Sequence, residues 1–563
     1  MKRWLLLVGV WAFLAIFLLY PLFRVAGDAF VVQGSDGVVF TLEYFRLVFA
    51  NELYRLCFAN SLVIGLGATA GALIIALPLV MLFRRIDFPC RRPLEVALLA
   101  PIILPPFVGA IGIKHFFARF GSINLLLGEW GLISLKDPPD WFGDGGLGGV
   151  ILMQALHLFP ILYLGLSAAV ANVDPSLREA AAGLGAGPWR TFRTVTLPLL
   201  APGVFAGCSI VFVSAFTDLG TPLIFDCNAT VPTQIFLASS EASSSPVASA
   251  LVMLTLVAVM VLFFAGRAWG EAGSCEMSGR AGGAVAMTRW RGLGGWLVTA
   301  AVCALLGVAL LPHAGVALNS IAGKWFFTAF PTELTGAFYA EVFRDELTVS
   351  SVRNSLVYSL CSAGLDMVLG VAIAWLLARG RIPGRVALDA VVMMPLALPG
   401  LVLAFGYLVS FNVDVPWLNP RTNPTLLLVV SYAVRRLPFI VRAAYAGFRQ
   451  LSPSFEEASM NLGASPRKTL IKITLPLIAA NLVAGGILVF SFAMLEVSDS
   501  LILAMELRFA PITKGIYELV GRPQPEAAAV ACALGVLAMG LLAAGLCAAS
   551  RLMGRSLGEL FRA

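Results

Sequence analysis

Charge is what this chain has least of. Only 13% of its 563 residues are Asp, Glu, Lys or Arg, whereas the surface of a soluble domain usually needs roughly 25%. The shortage excludes a cytosolic enzyme of ordinary make. Histidine is nearly missing, with three residues, and the nine cysteines (57, 90, 208, 227, 275, 303, 361, 532 and 547) are odd in number and form no C-x-x-C pair. A disulfide framework and a metal cage are therefore both excluded. No G-x-x-x-x-G-K-[ST] run occurs; Gly323-Lys324-Trp325 and Lys514-Gly515 lack its flanking residues, so the chain has no phosphate-cradling loop of its own. Nor does any nucleophile-and-base pairing suggest a membrane-embedded enzyme.

What is abundant is apolar surface: 59% hydrophobic residues, including 38 Phe, beside 54 Gly. Such a chain has lipid as its main solvent. With about 20 apolar residues per crossing, spans are predicted at 4–23, 58–83, 94–118, 148–170, 201–217 and 248–266, then at 295–314, 354–378, 386–411, 424–448, 477–495 and 527–550. The fold class is thus an all-α polytopic membrane protein of about twelve helices. Lys2 and Arg3 precede the first apolar run, yet no small-x-small site follows Leu22, so an uncleaved anchor is expected rather than a signal peptide. With the N-terminus inside, the shorter cytoplasmic segments hold about twice as many Lys and Arg as the outer ones, which places both termini in the cytoplasm. The net charge of +7 is then a topology signal, with lipid and not nucleic acid as the partner.

The second half repeats the first. Asn60-Ser61-Leu62-Val63 recurs as Asn354-Ser355-Leu356-Val357, and Pro89, Pro101, Pro105 and Gly112 recur as Pro383, Pro395, Pro399 and Gly406 at one constant offset. The offset shortens later, because the first copy has a longer outer loop after its third span. Six spans per copy is an even number, so both copies share an orientation and are related by a pseudo-twofold axis along the membrane normal. A central pathway between them is expected.

The strongest local signal follows the fourth span of each copy. Glu179-Ala180-Ala181 leads to Gly185 and then to Val195-Thr196-Leu197-Pro198; Glu457-Ala458-Ser459 leads to Gly463 and then to Ile473-Thr474-Leu475-Pro476. Asp174-Pro175-Ser176 and Ser452-Pro453-Ser454 are good helix starts. Glu179 and Glu457 are expected in the first turns, where their charge suits the helix N-terminus. Gly185 and Gly463 should end each short helix, with Pro188 and Pro466 as stop signals beyond. The product is a surface helix shaped to dock into something else.

This motif resembles the cytoplasmic loop of permease subunits in type I binding-protein-dependent ABC importers. The resemblance covers nearly the whole chain. It implies an N-terminal anchor and outer loop at 1–56, permease modules at 57–266 and 350–549, a linker with the seventh span at 267–349, and a cytoplasmic tail at 550–563. It also implies that Glu179, Ala180, Ala181, Gly185, Leu197, Pro198, Glu457, Ala458, Gly463, Leu475 and Pro476 couple the chain to a homodimeric ATP-binding subunit. That partner would bind the ATP and Mg, this chain holding no cofactor, and a periplasmic solute-binding protein would deliver the solute. Ser459 stands where the first copy has Ala181, a small residue for a small residue.

Ionisable residues inside spans are costly and functional by default. In the tenth span Arg435 and Arg436 precede Pro438, with Arg442 following; the first copy places His157 opposite Arg435 and Pro160 opposite Pro438. After the fifth span of each copy Asp218 aligns with Glu496, and Thr221 with Asp499. These acids either line a pathway or neutralise the arginines, and the arginines either pair structurally or face the solute. Gly67 and Gly71 form a G-x-x-x-G read as close helix packing, and His115 and His313 as interfacial residues. The fused layout, the Asn-Ser-Leu opening of each module and the stretch from Tyr432 to Arg442 resemble ferric-iron permeases most. Similar layouts serve thiamine, phosphonates or sugar phosphates, and the arginines suit an anion. A secondary transporter would instead use Asp218 and Glu496 as coupling acids.

Overall fold

Lipid offers the backbone no hydrogen-bond partner, so a chain this apolar must close its backbone bonds within helices. The computed structural model describes residues 2–34, 37–171, 173–239, 246–272, 287–380 and 382–553. A helix or a bent pair of helices lies over every predicted span. Six are long and apolar enough to cross a membrane, Trp4–Phe30, Glu52–Arg85, Leu147–Ala171, Pro188–Phe216, Glu346–Arg379 and Glu526–Leu552, and four bent pairs raise the total to 10. Of the other two, Thr425–Gln450 carries Arg435, Arg436, Arg442 and Arg449, and Pro246–Ala272 has a shorter apolar stretch at Pro246–Leu262. Among the described residues three two-stranded ribbons, at 31–34 with 37–40, 86–87 with 288–289 and 322–324 with 333–334, are additions to an otherwise helical fold. The linker residues 273–286 and the tail beyond Met553 lie outside the described residues.

The stretches 94–118 and 386–411 read as single straight spans, and in the structure each is sharply bent. Arg91–Ile102 meets Pro106–Glu129 at 94°, and Arg385–Leu396 meets Gly400–Ser410 at 102°. The cause is proline. Pro105 and Pro399 sit in the break with ψ 137 and 134, just after Pro101 and Pro395, and a proline both lacks the amide a helix needs and crowds the turn before it. Hydropathy does not report such a bend.

The leading helix of each half packs on the other half. One core joins Leu98, Phe107 and Phe159 to Val302 and Val316 of the seventh span; the other joins Leu14, Leu18 and Val25 of the first span to Leu401, Phe405 and Leu437. Two of the repeated glycines make room for these crossings. A Cβ on Gly112 would lie 2.6 Å from the Pro312 carbonyl oxygen and 2.8 Å from the Val316 nitrogen, while one on Gly406 would meet Pro21 Cβ at 3.1 Å. Tyr407 then donates its hydroxyl to the Phe17 carbonyl at 2.6 Å. Helices Glu52–Arg85 and Glu346–Arg379 begin shortly before the expected module starts at 57 and 350. The Gly67–Gly71 face packs against Ile151 and Ala155, as its spacing implies.

Candidate functional site

The two docking loops have nearly the same local geometry. Asp174 accepts the Ser176 amide and caps helix Pro175–Gly183; Ser452 accepts the Ser454 amide and caps helix Pro453–Asn461. The Ser176 amide also holds the exposed Asp174 carboxyl below its usual range. At the other end Gly185 and Gly463 are left-handed (φ 78 and 85). The Gly185 and Ala186 amides bond back to Ala182 and Ala181, and those of Gly463 and Ala464 to Met460 and Ser459, a doubly bonded glycine terminus. The turn pushes Leu184 and Leu462 outward to 90% and 89% exposure, beside the exposed Glu179 and Glu457.

Two details differ from the expectation. Pro188 and Pro466 stand in the first turn of the next helix and start it, because proline has no amide to lose there. A π turn then leads from each of these short helices to Leu197-Pro198 and Leu475-Pro476, which open the next helical segment. Glu179 and Glu457 also lie past the first turn; the first-turn acid is Glu456. Sequence reasoning passed over Glu456, whose carboxylate takes Arg379 Nε at 3.1 Å and the Thr474 hydroxyl at 3.1 Å, while Arg379 also donates to the Leu451 carbonyl. It ties helix Pro453–Asn461 to the C-terminal end of helix Glu346–Arg379. Arg379 ends one helix and Glu456 begins another, with three α-helices between them, so no local spacing signalled the pair.

Within the second module the structure gathers four of the intramembrane charges. Arg435 and Arg436 each bond one oxygen of Glu496. Arg435 also lies 3.6 Å from Asp499, which accepts the Ser431 hydroxyl at 2.7 Å. Glu496 and Asp499 are buried. Arg442 is not part of this group: it pairs with Asp389 at 3.5 Å, and both are half-exposed. The first module is uncharged at the matching depth except for Asp218. Asp218 accepts the Thr221 amide at 2.9 Å, Gln154 donates to Thr221 at 3.0 Å, and His157 Nδ1 contacts the Pro101 carbonyl at 3.0 Å. The segments after the fifth and eleventh spans touch across the module boundary, where a Cβ on Gly220 would meet Val497 at 3.0 Å. Sequence reading also missed Asp366, fully buried on helix Glu346–Arg379. Among the described residues no group of three or more His, Cys, Asp or Glu is placed to hold a metal ion.

Residues 61–271 and 367–552 match the family of binding-protein-dependent transport system inner membrane components. The ferric transport system permease protein FbpB 1 of Haemophilus influenzae is 28% identical over 504 residues, covering 86% of this chain and 75% of that one. The ferric transport system permease protein FbpB of Actinobacillus pleuropneumoniae is 29% identical over 416 residues, covering 71% of this chain and 57% of that one, so the chain spans less than two thirds of that relative. The sulfate transport system permease protein CysT of Escherichia coli is 33% identical over 172 residues, 28% of this chain and 60% of that one.

Proposed function

The chain belongs to the binding-protein-dependent transport system inner membrane components, and from that membership we propose that it forms the solute pathway of an ATP-driven importer for ferric iron. Its fold and family are those of a transport permease of the inner membrane. The finer reading adds a homodimeric ATP-binding subunit that binds ATP and Mg, a periplasmic solute-binding protein that delivers iron, and cytoplasmic termini.

The observation that carries this reading is the pair of docking helices, alike in cap, glycine terminus and outward leucine. Two equal surfaces on one side suit two equal partners. Closure of the ATP-binding dimer would push on Leu184 and Leu462, and the helices that follow would carry the motion to the segments around Asp218 and Glu496. Ferric iron is favoured over an anion by charge balance, since Arg435 and Arg436 are already matched by Glu496 and Asp499. The ferric permease relatives also align over most of the chain.

The test is reconstitution. The chain alone should hydrolyse no ATP. Joined to its ATP-binding subunit, it should do so faster with the ferric-loaded binding protein, and Gly185→Asp or Glu457→Lys should abolish that stimulation. Stimulation only by an organic or oxyanion ligand would sink the ferric assignment and leave the permease standing. Gradient-driven uptake without any ATP-binding subunit would sink the importer reading itself.

A further inference from the structure

Helix Glu346–Arg379 has one polar face inside the second module. Ser351, Ser355, Ser359, Ser362 and Asp366 are all buried and follow one another at steps of three or four residues, so they share a side of the helix. Ser355 accepts the Ile512 amide. The hydroxyls of Ser351, Ser359 and Ser362 and both oxygens of Asp366 have no partner, nor do Arg436 Nε and Asp499 Oδ1. The other buried unpartnered hydroxyls, on Ser122, Thr196, Ser249 and Ser410, are scattered over separate helices. A helical hydroxyl can satisfy itself on the preceding turn, as those of Thr69, Ser209, Thr255 and Ser350 do. Those of Ser359 and Ser362 do not.

Ser351 to Asp366 spans about 22 Å at 1.5 Å per residue, which is most of a hydrocarbon core of about 30 Å. The face leads to the ion cluster. Gly370, one turn further, packs on Ile440, one turn beyond Arg436 on the neighbouring helix, so Asp366 and Arg436 lie at one level. Below that level Gly370, Ile373 and Ala374 are buried and apolar, and they close the seam. Buried polar groups are almost always bonded to protein or to ordered water, and water takes the groups that protein leaves. The repeat supplies a contrast: the matching face of the first module reads Cys57, Ser61, Gly65, Ala68 and Ala72, a dry interface.

We propose that the second module holds a dead-end file of ordered water along the Ser351–Asp366 face of helix Glu346–Arg379, reaching the Arg436–Glu496–Asp499 cluster from the outer side. The file hydrates Asp366 and the free edge of Arg436. It also gives the Arg435–Glu496 and Arg436–Glu496 contacts a solvent into which they can separate when the module boundary beside Val497 moves. Without water, separation would leave bare ions in an apolar interior. The inference is independent of which solute is carried.

The experiment compares thiols at symmetry-related depths. The complex with its ATP-binding subunit, its native cysteines replaced, is placed in vesicles with the outer side accessible and treated with methanethiosulfonate ethylammonium, which attacks only hydrated thiolates. Ser362→Cys should be modified at least tenfold faster than Ala68→Cys. Equal rates, or an inert Cys at 362 in a complex that still couples ATP hydrolysis, would overturn the proposal. Should Ser362→Cys fail to assemble, Ser359→Cys is read against the same control with the same two outcomes.

Discussion

Glu496→Gln is the substitution that discriminates most sharply between a shared counter-ion and an incidental polar residue. Both carboxylate oxygens are in use, one by Arg435 and one by Arg436. Glu496 is 5% exposed and the two arginine side chains 19% and 13%. After the change Arg435 keeps Asp499 at 3.6 Å, but Arg436 keeps only the Phe492 carbonyl at 3.4 Å, with its Nε still unpartnered. Removing one partner of a buried pair typically costs about 3–5 kcal/mol, because the remaining charge stays buried. Arg442→Met breaks the half-exposed contact with Asp389 and should cost at most about 1 kcal/mol. Thermal unfolding of the purified chain, followed by size-exclusion chromatography after heating, gives both. Adding Arg436→Met to Glu496→Gln removes the uncompensated charge and should recover about 1 kcal/mol or more, a coupling of the size found for contacting residues. The reasoning is refuted if Glu496→Gln unfolds no earlier than Arg442→Met, or if the double variant is merely the sum of its parts.

Gly112→Ala should be worse than Gly406→Ala, because its Cβ would strike backbone at 2.6 Å whereas that of Gly406 meets Pro21 Cβ at 3.1 Å; overpacking of this kind costs about 1–3 kcal/mol, and the same heating assay ranks the two. Gly185→Ala and Gly463→Ala meet nothing within 4 Å, so each should lose only the backbone cost of the left-handed turn, about 1–2 kcal/mol. Their mark should therefore be weaker stimulation of ATP hydrolysis with little change in overall stability. At the N-terminus of helix Glu346–Arg379 burial pushes the Asp345 carboxyl up, but Arg522 at 2.8 Å and the Thr348 amide at 3.0 Å outweigh it and hold the group below its ordinary 3.8. A carboxyl depressed in the folded state contributes stability above its ordinary value and loses it as pH falls through the depressed one. Asp345→Asn keeps a cap but loses the ion pair, so its melting temperature should lie below that of the parent chain at pH 7 and the gap should close on acidification; a gap that persists at low pH would refute the assignment.

The docking loops were legible because their signals are local. An Asx or Ser cap, a left-handed glycine and a proline at a helix start each act within a few residues, and Asp174, Gly185, Ser452 and Gly463 do what their spacing implies. Pro188 and Pro466 misled only in direction, since a proline that cannot continue one helix can begin the next. The bends at Pro105 and Pro399 were hidden because an apolar run has the same hydropathy whether it is straight or broken. The crossing of each leading helix onto the opposite half rests on contacts such as Gly406 with Pro21 and Tyr407 with Phe17, and no periodicity encodes pairs so far apart. Asp366 was overlooked for a related reason. A lone acid among serines and leucines acquires meaning only when the fold sets it level with Arg436.

The two modules differ most where the fold brings them together and least in the loops that carry Glu179 and Glu457. Glu179 and Glu457, Gly185 and Gly463, and Leu184 and Leu462 keep the same geometry, as they must if each meets one copy of the same partner. No such constraint acts on the interior, where the second module places two arginines against Glu496 and Asp499 while the first has His157, Leu158, Asp218 and Thr221 at the matching positions. In the proposed pathway a solute on the pseudo-twofold axis would meet both walls at once, so one charged wall and one mostly neutral wall could share a site that two charged walls would overfill. Fusing the modules into one chain is what permits this division, because a homodimer would have to carry every buried ion twice.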